Sequence, residues 1–315
     1  MLKRSLLALS ALLLTQTFTA RAAEPKDFSA QTRWLLAVDV KAANASPIMK
    51  FITDTIDAKK RSQAEAKLAS IEAMFGLNLL EDIDHLVMAG NGGADKGGVA
   101  YVYGKFNVQR LTTILAGSKQ YESVKHNGVA VQTWLDENDN KKKSIAFPTP
   151  NLALISNNPA SIEDALDVLA GEKPGLAANA PIGKTLSRTS GNLLSLSAFG
   201  LASIIGAAPN AEALRQAEAL SLTIRANGEN SLDADLAVTA ANDATAQQIH
   251  QAFLGIQAIS MLRSAEAPES AAVATQAKVA CEGRTISVTL SLPKSTIETV
   301  IRAREKKGVA ATEAN

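Results

Sequence analysis

Between residues 219 and 239 the chain alternates strictly between apolar and polar side chains on both arms of an Asn-Gly turn. Leu220, Leu222 and Ile224 fall on one side, and Ser221, Thr223 and Arg225 on the other. After Asn227-Gly228-Glu229-Asn230, the apolar side continues with Leu232, Ala234, Leu236 and Val238, against Asp233, Asp235 and Thr239. A period of two on both arms of such a turn specifies a β-hairpin, and its polar outer side specifies an antiparallel sheet covered on one face.

The next segment supplies the cover. Asn242 or Asp243 caps a helix in which Ile249, Phe253 and Ile256 fall at i, i+4 and i+7, expected to face the sheet. A second strand pair comes after it, with Ile286, Val288, Leu290 and Leu292 alternating against Thr285, Ser287, Thr289 and Ser291. Pro293 and the Ser295-Thr296-Ile297-Glu298 capping pattern then open a last helix with Ile297, Val300 and Ile301 inward, and the tail from Gly308 is expected to be disordered.

The N-terminal part repeats this order with more decoration. Strands at Ile83 to Ala89 and Val99 to Phe106 lead to Asn107, which caps a helix carrying Leu111, Ile114 and Leu115. Strands at Val129 to Leu135 and Leu152 to Ser156 precede Asn158-Pro159 and a helix with Ile162, Ala165, Leu166 and Leu169, stopped by Gly171. Each part opens on an apolar strand, Trp34 to Val40 and Leu193 to Ser197. The expectation is an α+β fold of two similar halves, each an antiparallel sheet with helices packed on one face. The halves span 23–171 and 192–307, with a linker at 172–191 and a tail at 308–315. Whether they share one continuous sheet is left open by the pattern.

Residues 1 to 22 are set apart. A basic start at Lys3 and Arg4, an apolar stretch from Leu6 to Leu14 and the Ala20-Arg21-Ala22 triplet have the layout of a secretory signal peptide cut between Ala22 and Ala23. The apolar run is too short for a membrane span of roughly 18 or more residues and is broken by Ser10 and Thr15. The mature chain is expected in the periplasm or outside the cell, with no transmembrane segment. Cleavage leaves 29 basic against 31 acidic residues, which gives no electrostatic reason to bind nucleic acid.

The stretch Phe75-Gly76-Leu77-Asn78, then Asp82-Ile83-Asp84-His85-Leu86-Val87-Met88-Ala89-Gly90 and Gly98-Val99-Ala100-Tyr101-Val102-Tyr103-Gly104-Lys105-Phe106, resembles a pattern in exported, uncharacterised bacterial proteins. In those, a Gly-x-Asn or Gly-x-Asp helix end leads to a D-x-D strand, a G-x-F strand and later a helix like Asn158-Pro159-Ala160-Ser161-Ile162-Glu163-Asp164. The resemblance covers residues 34 to 171 and implies export and an α+β fold. It carries no catalytic residues.

Of 315 residues, 46% are apolar, 20% charged and 4% aromatic, values of a globular chain, and the scarcity of aromatic rings argues against a sugar-stacking site. Cys281 is the only cysteine and so closes no intramolecular disulfide; three histidines spread over the chain do not suggest a zinc cage. The glycine-rich string from Gly90 to Gly98 runs from strand to strand, whereas a phosphate loop must run into a helix. Asp136-Glu137-Asn138-Asp139-Asn140 starts like a calcium loop, but Lys141 stands where glycine is needed and Phe147 where glutamate is needed, so a solvated turn is expected. No G-x-S-x-G elbow is present.

His85 beside Asp82 and Asp84 is the best acid/base candidate. Neighbours on a strand point apart, however, and a partly buried, hydrogen-bonded histidine is expected instead. His126 precedes the Asn127-Gly128 turn and is expected to be exposed; His250 sits at the edge of an apolar stripe. Residues 48 to 75 form an amphipathic helix or helix pair, with Ile52, Ile56, Ala64, Leu68, Ile71 and Phe75 inward. No catalytic, cofactor or metal residues are expected. The reading is a non-enzymatic binding or structural protein of the cell envelope with an envelope protein as partner. The alternatives are a carrier of a lipid or other apolar ligand, with a cavity lined by Leu220, Leu222, Ile224, Leu232, Leu236 and Phe253, or a hydrolase in which His85 meets a distant serine and carboxylate.

Overall fold

The hairpin of 219 to 239 becomes two neighbouring strands of a single sheet of twelve. The structure, a computed structural model, describes residues 23–313 apart from 93–97, 138, 178–179, 181, 184–185, 187–190 and 206–214. The strands are β1 (Trp34–Asp39), β2 (Ile83–Gly90), β3 (Gly98–Gly104), β4 (Glu122–His126), β5 (Val129–Asp136), β6 (Lys141–Thr149), β7 (Leu152–Ser156), β8 (Leu194–Phe199), β9 (Ala217–Asn227), β10 (Ser231–Ala240), β11 (Lys278–Glu282) and β12 (Thr285–Pro293). They pair antiparallel in the order β11-β12-β10-β9-β8-β1-β2-β3-β7-β6-β5-β4. The helices are α1 (Val40–Ala45), α2 (Pro47–Thr55), α3 (Ala58–Phe75), α4 (Val108–Ala116), α5 (Pro159–Ala170), α6 (Leu201–Ile205), α7 (Asp243–Leu262), α8 (Pro268–Ala274) and α9 (Lys294–Glu313). The fold is mixed α+β.

The question of one sheet or two is answered by β1 and β8. They pair from Trp34↔Ala198 to Val38↔Leu194, so the sheet runs without a break through the whole molecule. Cross-strand partners share a face. On the first face, Leu35 and Ala37 stand opposite Ala89 and Val87, followed by Val99, Tyr101 and Leu154. Helix α5 covers this face with Ile162, Ala165 and Leu166, all inside one buried cluster. Phe28, fully buried after the short 3-10 turn Pro25–Asp27, meets the Tyr101 ring edge-on at 4.7 Å.

The second buried cluster lies on the opposite face. Ala198 pairs with Trp34, Leu220 with Ala198, Val238 with Leu220, and Ile286 with Val238. Ala246 and Ile249 of α7 pack onto that row. On the first face of the same strands stand Ser195, Ser197, Ser221, Thr223, Arg225, Asp233 and Asp235. Arg225 is ion-paired to Asp235, and the Ser291 hydroxyl donates to Asp233 at 2.8 Å.

The expectation that helices pack on one face is therefore corrected. Helix α5 lies on the first face, while α4 and α7 lie on the second, α4 marked by the Gln132 amide donating to Thr112 Oγ1 at 3.3 Å. The physical reason is β1, where Trp34-Leu35-Leu36-Ala37-Val38 is apolar throughout and serves both faces at once.

Asn107 and Asn242 cap where the sequence puts them and Asn158 caps α5, whereas Ser295, read as opening the last helix, lies inside α9, which starts at Lys294. Asn107, Asn158 and Asn242 accept from the backbone N–H groups of Arg110, Ala160 and Thr245 at 2.8 to 3.1 Å. Gly171 ends α5 at φ 79°. The stretch 48 to 75 is the helix pair, α2 and α3, separated at Asp57, whose carboxylate accepts from Lys59 and Lys60 N–H.

Four further expectations change. Ala64 is exposed, and Ile256 is 62% exposed. The strands β4 and β6 are additions to the expected set: Lys141-Lys142-Lys143 hides the start of β6, and β4 reads Glu-Ser-Val-Lys-His. The tail expected to be disordered from Gly308 is helical as far as Glu313. Among the described residues no helix is long and apolar enough to cross a membrane.

Candidate ligand cavity under helix α5

Where β6 turns into β7 the pairing slips. The register shifts between Ala146 and Thr149, and the intervening Pro148 has no N–H to offer a ladder. The turn is tied to the end of β3: the Asn151 side chain donates to Gly104 O at 3.1 Å, while the Gly104 N–H donates to Asn151 O at 3.1 Å. A cavity of about 410 Å³ lies here, between this turn, the last turn of α5 and the 3-10 turn. Tyr103, Val129, Leu152, Leu166, Leu169 and Ala170 form its apolar wall; Asp27, Asn127, Thr149 and Asn151 are its polar lining. That volume and that ratio of apolar to polar groups fit a small-molecule site.

The mouth is built by the β4–β5 hairpin. Asn127 and Gly128 both have positive φ, 49° and 79°, the geometry of a two-residue type I′ turn. His126 Nε2 is hydrogen-bonded to Asp167 Oδ1, and the Asn127 amide donates to the same oxygen at 3.1 Å. Lys173 reaches Asp167 at 2.9 Å and Asp164 at 2.7 Å. Lys173 first, and His126 second, hold the Asp167 carboxyl below the usual carboxylate range. The network ties the hairpin turn to the outer side of α5 beside the cavity.

His126, expected to be exposed, is instead this partly buried partner of Asp167. No local pattern announces the contact, which spans 41 residues. His85 is partly buried as expected, but the hydrogen bond expected of it is missing at Nε2. That atom is buried and bonds to nothing among the described residues, while the ring stacks on Tyr103 at 4.3 Å. Burial lowers the His85 pKa, partly opposed by the Asp84 carboxylate. No serine hydroxyl reaches Nε2, so the serine-histidine contact that the hydrolase reading requires is not formed at this atom among the described residues. His250 is half-buried on α7, and its Nδ1 is buried with no hydrogen-bond partner among the described residues. Cys281 faces α7, with the Gln247 amide 3.6 Å from its sulfur.

The six positions named for a carrier cavity are divided. Leu220, Leu236 and Phe253 pack against the second core, while Leu222, Ile224 and Leu232 are half-buried on the same sheet face. Phe253 also lines a groove of about 550 Å³ between α7, α8 and α9, floored by Val279 and Val288. Ala20 and Ala22 of the expected cleavage site lie outside the described residues, as does the tip of the glycine-rich string at 93–97; Ala23 packs at the edge of the first core. Among the described residues no group of three or more His, Cys, Asp or Glu side chains is placed to hold a metal ion.

No family model and no curated protein matches the chain. Two solved structures, both of TP0453, are similar in fold. Crystal form IV is 11% identical with a TM-score of 0.50, covering 90% of this chain and 97% of that one; crystal form I is 12% identical with a TM-score of 0.47, covering 90% and 98%. At that identity the likeness concerns the fold alone.

Proposed function

We propose that this chain is an exported, non-enzymatic binding protein of the cell envelope, and that what it binds is an apolar ligand held under α5. The observation that carries the reading is the cavity of about 410 Å³ with six apolar residues in its wall, in a region otherwise packed to near zero exposure at Leu154, Ala146 and Ile162. The space opens to solvent past Asn127, Thr149 and Ala170, which are exposed, and a bound apolar molecule would shield its apolar wall from water. Export to the periplasm or beyond rests on the leader ending at Ala22. Two related halves rest on the shared order of elements, with Asn107 and Asn242 capping helices in the same slot.

The test is native mass spectrometry of the mature chain isolated from the envelope of its own host, before and after extraction with denaturing solvent. An extra mass lost on extraction, and lost also in Leu169→Trp, is the expected result. A bare chain mass in every preparation would remove the carrier reading.

A second reading, a protein partner in the envelope, is favoured by α7. Ile256, Ile259, Met261 and Leu262 are 62%, 57%, 47% and 84% exposed beside the groove floored by Val279 and Val288. Contiguous exposed apolar side chains of this kind mark docking sites. Multiples of the chain mass, or a second protein mass, in the same spectra would support it.

A further inference from the structure

The sheet ends on two open edges, β4 and β11, and they differ in what they offer a neighbour. At β11 a single bond fixes which way the backbone points. The Ala240 N–H donates to Arg284 O at 2.8 Å, so Arg284 turns its backbone toward β10. Direction alternates along an antiparallel strand, and Thr285, Ser287 and Thr289 therefore turn theirs toward β11. Their partners there are Glu282, Ala280 and Lys278. Val279 and Cys281 are left with N–H and C=O groups aimed off the end of the sheet, where no described strand meets them.

Laid antiparallel against itself, this strand is self-complementary. Centred on Ala280, the run Lys278-Val279-Ala280-Cys281-Glu282 sets Val279 opposite Cys281, so the outward groups of both copies meet as hydrogen-bonded pairs. Lys278 then stands opposite Glu282 of the second copy, and by symmetry Glu282 stands opposite its Lys278. Both side chains are exposed, and neither forms an ion pair or a hydrogen bond within the described residues. The neighbouring registers lose this match. Centring on Cys281 sets Lys278 against Arg284, and centring on Val279 sets Glu282 against Gln276. On the second face, Val279 and Cys281 already pack against the second core, so the pairing continues an apolar row across the two-fold axis.

The other edge has no such match. Centred on Val124, β4 would set Ser123 against Lys125 and Glu122 against His126, whose ring is already bonded to Asp167. A lysine on a sheet edge ordinarily guards it against pairing, but with Glu282 at the mirror position Lys278 favours a second copy of this chain. We propose that the β11 edge is the interface of a homodimer in which two copies pair antiparallel about Ala280 and their sheets join into one. A ladder of this length buries less than a standard interface, so the association is weak and reversible. It is independent of the cavity under α5.

Sedimentation velocity of the full mature chain over a range of concentrations at low salt is the test. The expected result is a reversible monomer–dimer equilibrium, weakened about tenfold or more in Lys278→Glu and in Glu282→Lys, since each turns the attractive pairs into repulsive ones. An equimolar mixture of these two variants should associate again, because every pair across the axis is then opposite in charge. Ala280→Cys in a Cys281→Ser chain should cross-link on mild oxidation, as the facing residues of a non-hydrogen-bonded pair lie about 4.5 Å apart at Cα. The native Cys281, diagonal to its own copy, should not. Leu262→Ser on α7 should leave the dimer intact. A chain that stays monomeric at every concentration, a dimer indifferent to both charge reversals, cross-linking through native Cys281, or a dimer lost in Leu262→Ser would each overturn the proposal.

Discussion

The first core, under α5, and the second, under α7, are assembled on opposite faces of one sheet, and they differ in what they contain. The first holds Phe28, Tyr101 and Tyr103 among its buried residues and has cavities at both ends of its covering helix. The buried residues of the second are Ala198, Ala217, Ala240, Ala246, Leu201, Val238, Ile249 and Ile286, all small or aliphatic, with the rings of Trp34 and Phe253 only partly buried against them. Small aliphatic side chains interdigitate closely at the centre of the second core, where Phe253 sits at the edge beside the groove of about 550 Å³, whereas the rings of the first core are central to it. The helices after the last strand of each region show how this comes about. Leu152 and Leu154 of β7 feed the first face and α5 lies there, whereas Ile286 and Val288 of β12 feed the second face, and α9 borders a groove floored by Val288. Similar openings, Pro159-Ala160-Ser161-Ile162-Glu163 and Pro293-Lys294-Ser295-Thr296-Ile297-Glu298, thus place helices on opposite sides of the sheet.

If the two cores are separate packing units, Leu154→Ala in the first and Ile286→Ala in the second should each cost about 3 kcal/mol of stability. Their sum should hold to within about 0.5 kcal/mol in the double variant, since the side chains lie on opposite faces. Urea unfolding checks this, and a marked departure from additivity would join the cores into one.

The caps give a smaller and paired effect. Asn107→Ala and Asn242→Ala should each lose about 1 kcal/mol, because each leaves one orphan N–H at a helix start. Unequal losses would tell against the two helices being equivalent parts of a repeated plan. On the outer side of α7, Leu262→Ser should change stability by less than about 0.5 kcal/mol, since the side chain is 84% exposed. A loss of self-association or of a co-purifying protein in that variant would assign the stripe to docking.

The least of these effects is a pH dependence confined to the first face. His85 has its pKa lowered from 6.5 by burial, so the unfolded chain takes up the proton more readily than the folded one. Stability should therefore fall as the pH drops below about 6.5, and His85→Phe should flatten that slope. Thermal unfolding between pH 7.5 and 5 in both chains is the measurement; an unchanged slope would place the dependence elsewhere, and not on Asp167, whose depressed pKa makes acid destabilising only below about pH 4.

Alternation, caps and turns are legible in the chain because each is a local matter. The period of two in β9, β10 and β12, the three Asn caps and Gly171 need only neighbours within a few residues, and each is found in place. The strand β6 is not legible, since three successive lysines mask its period, and neither is the length of α9. The cavity is less legible still. Its lining comes from the 3-10 turn, from β3, from the β4–β5 and β6–β7 hairpins and from α5, and no motif connects Asp27 to Asn127 or His126 to Asp167.

The amino-acid sequence by itself determined an antiparallel α+β chain with capped helices, because hydrophobic period and backbone hydrogen bonding at helix ends are short-range. Only the tertiary structure decided that there is one sheet rather than two, which face each helix takes and where an unfilled space remains. Those depend on strand β1 being apolar on both sides and on the slip at Pro148, whose consequences are set by partners far away in the chain.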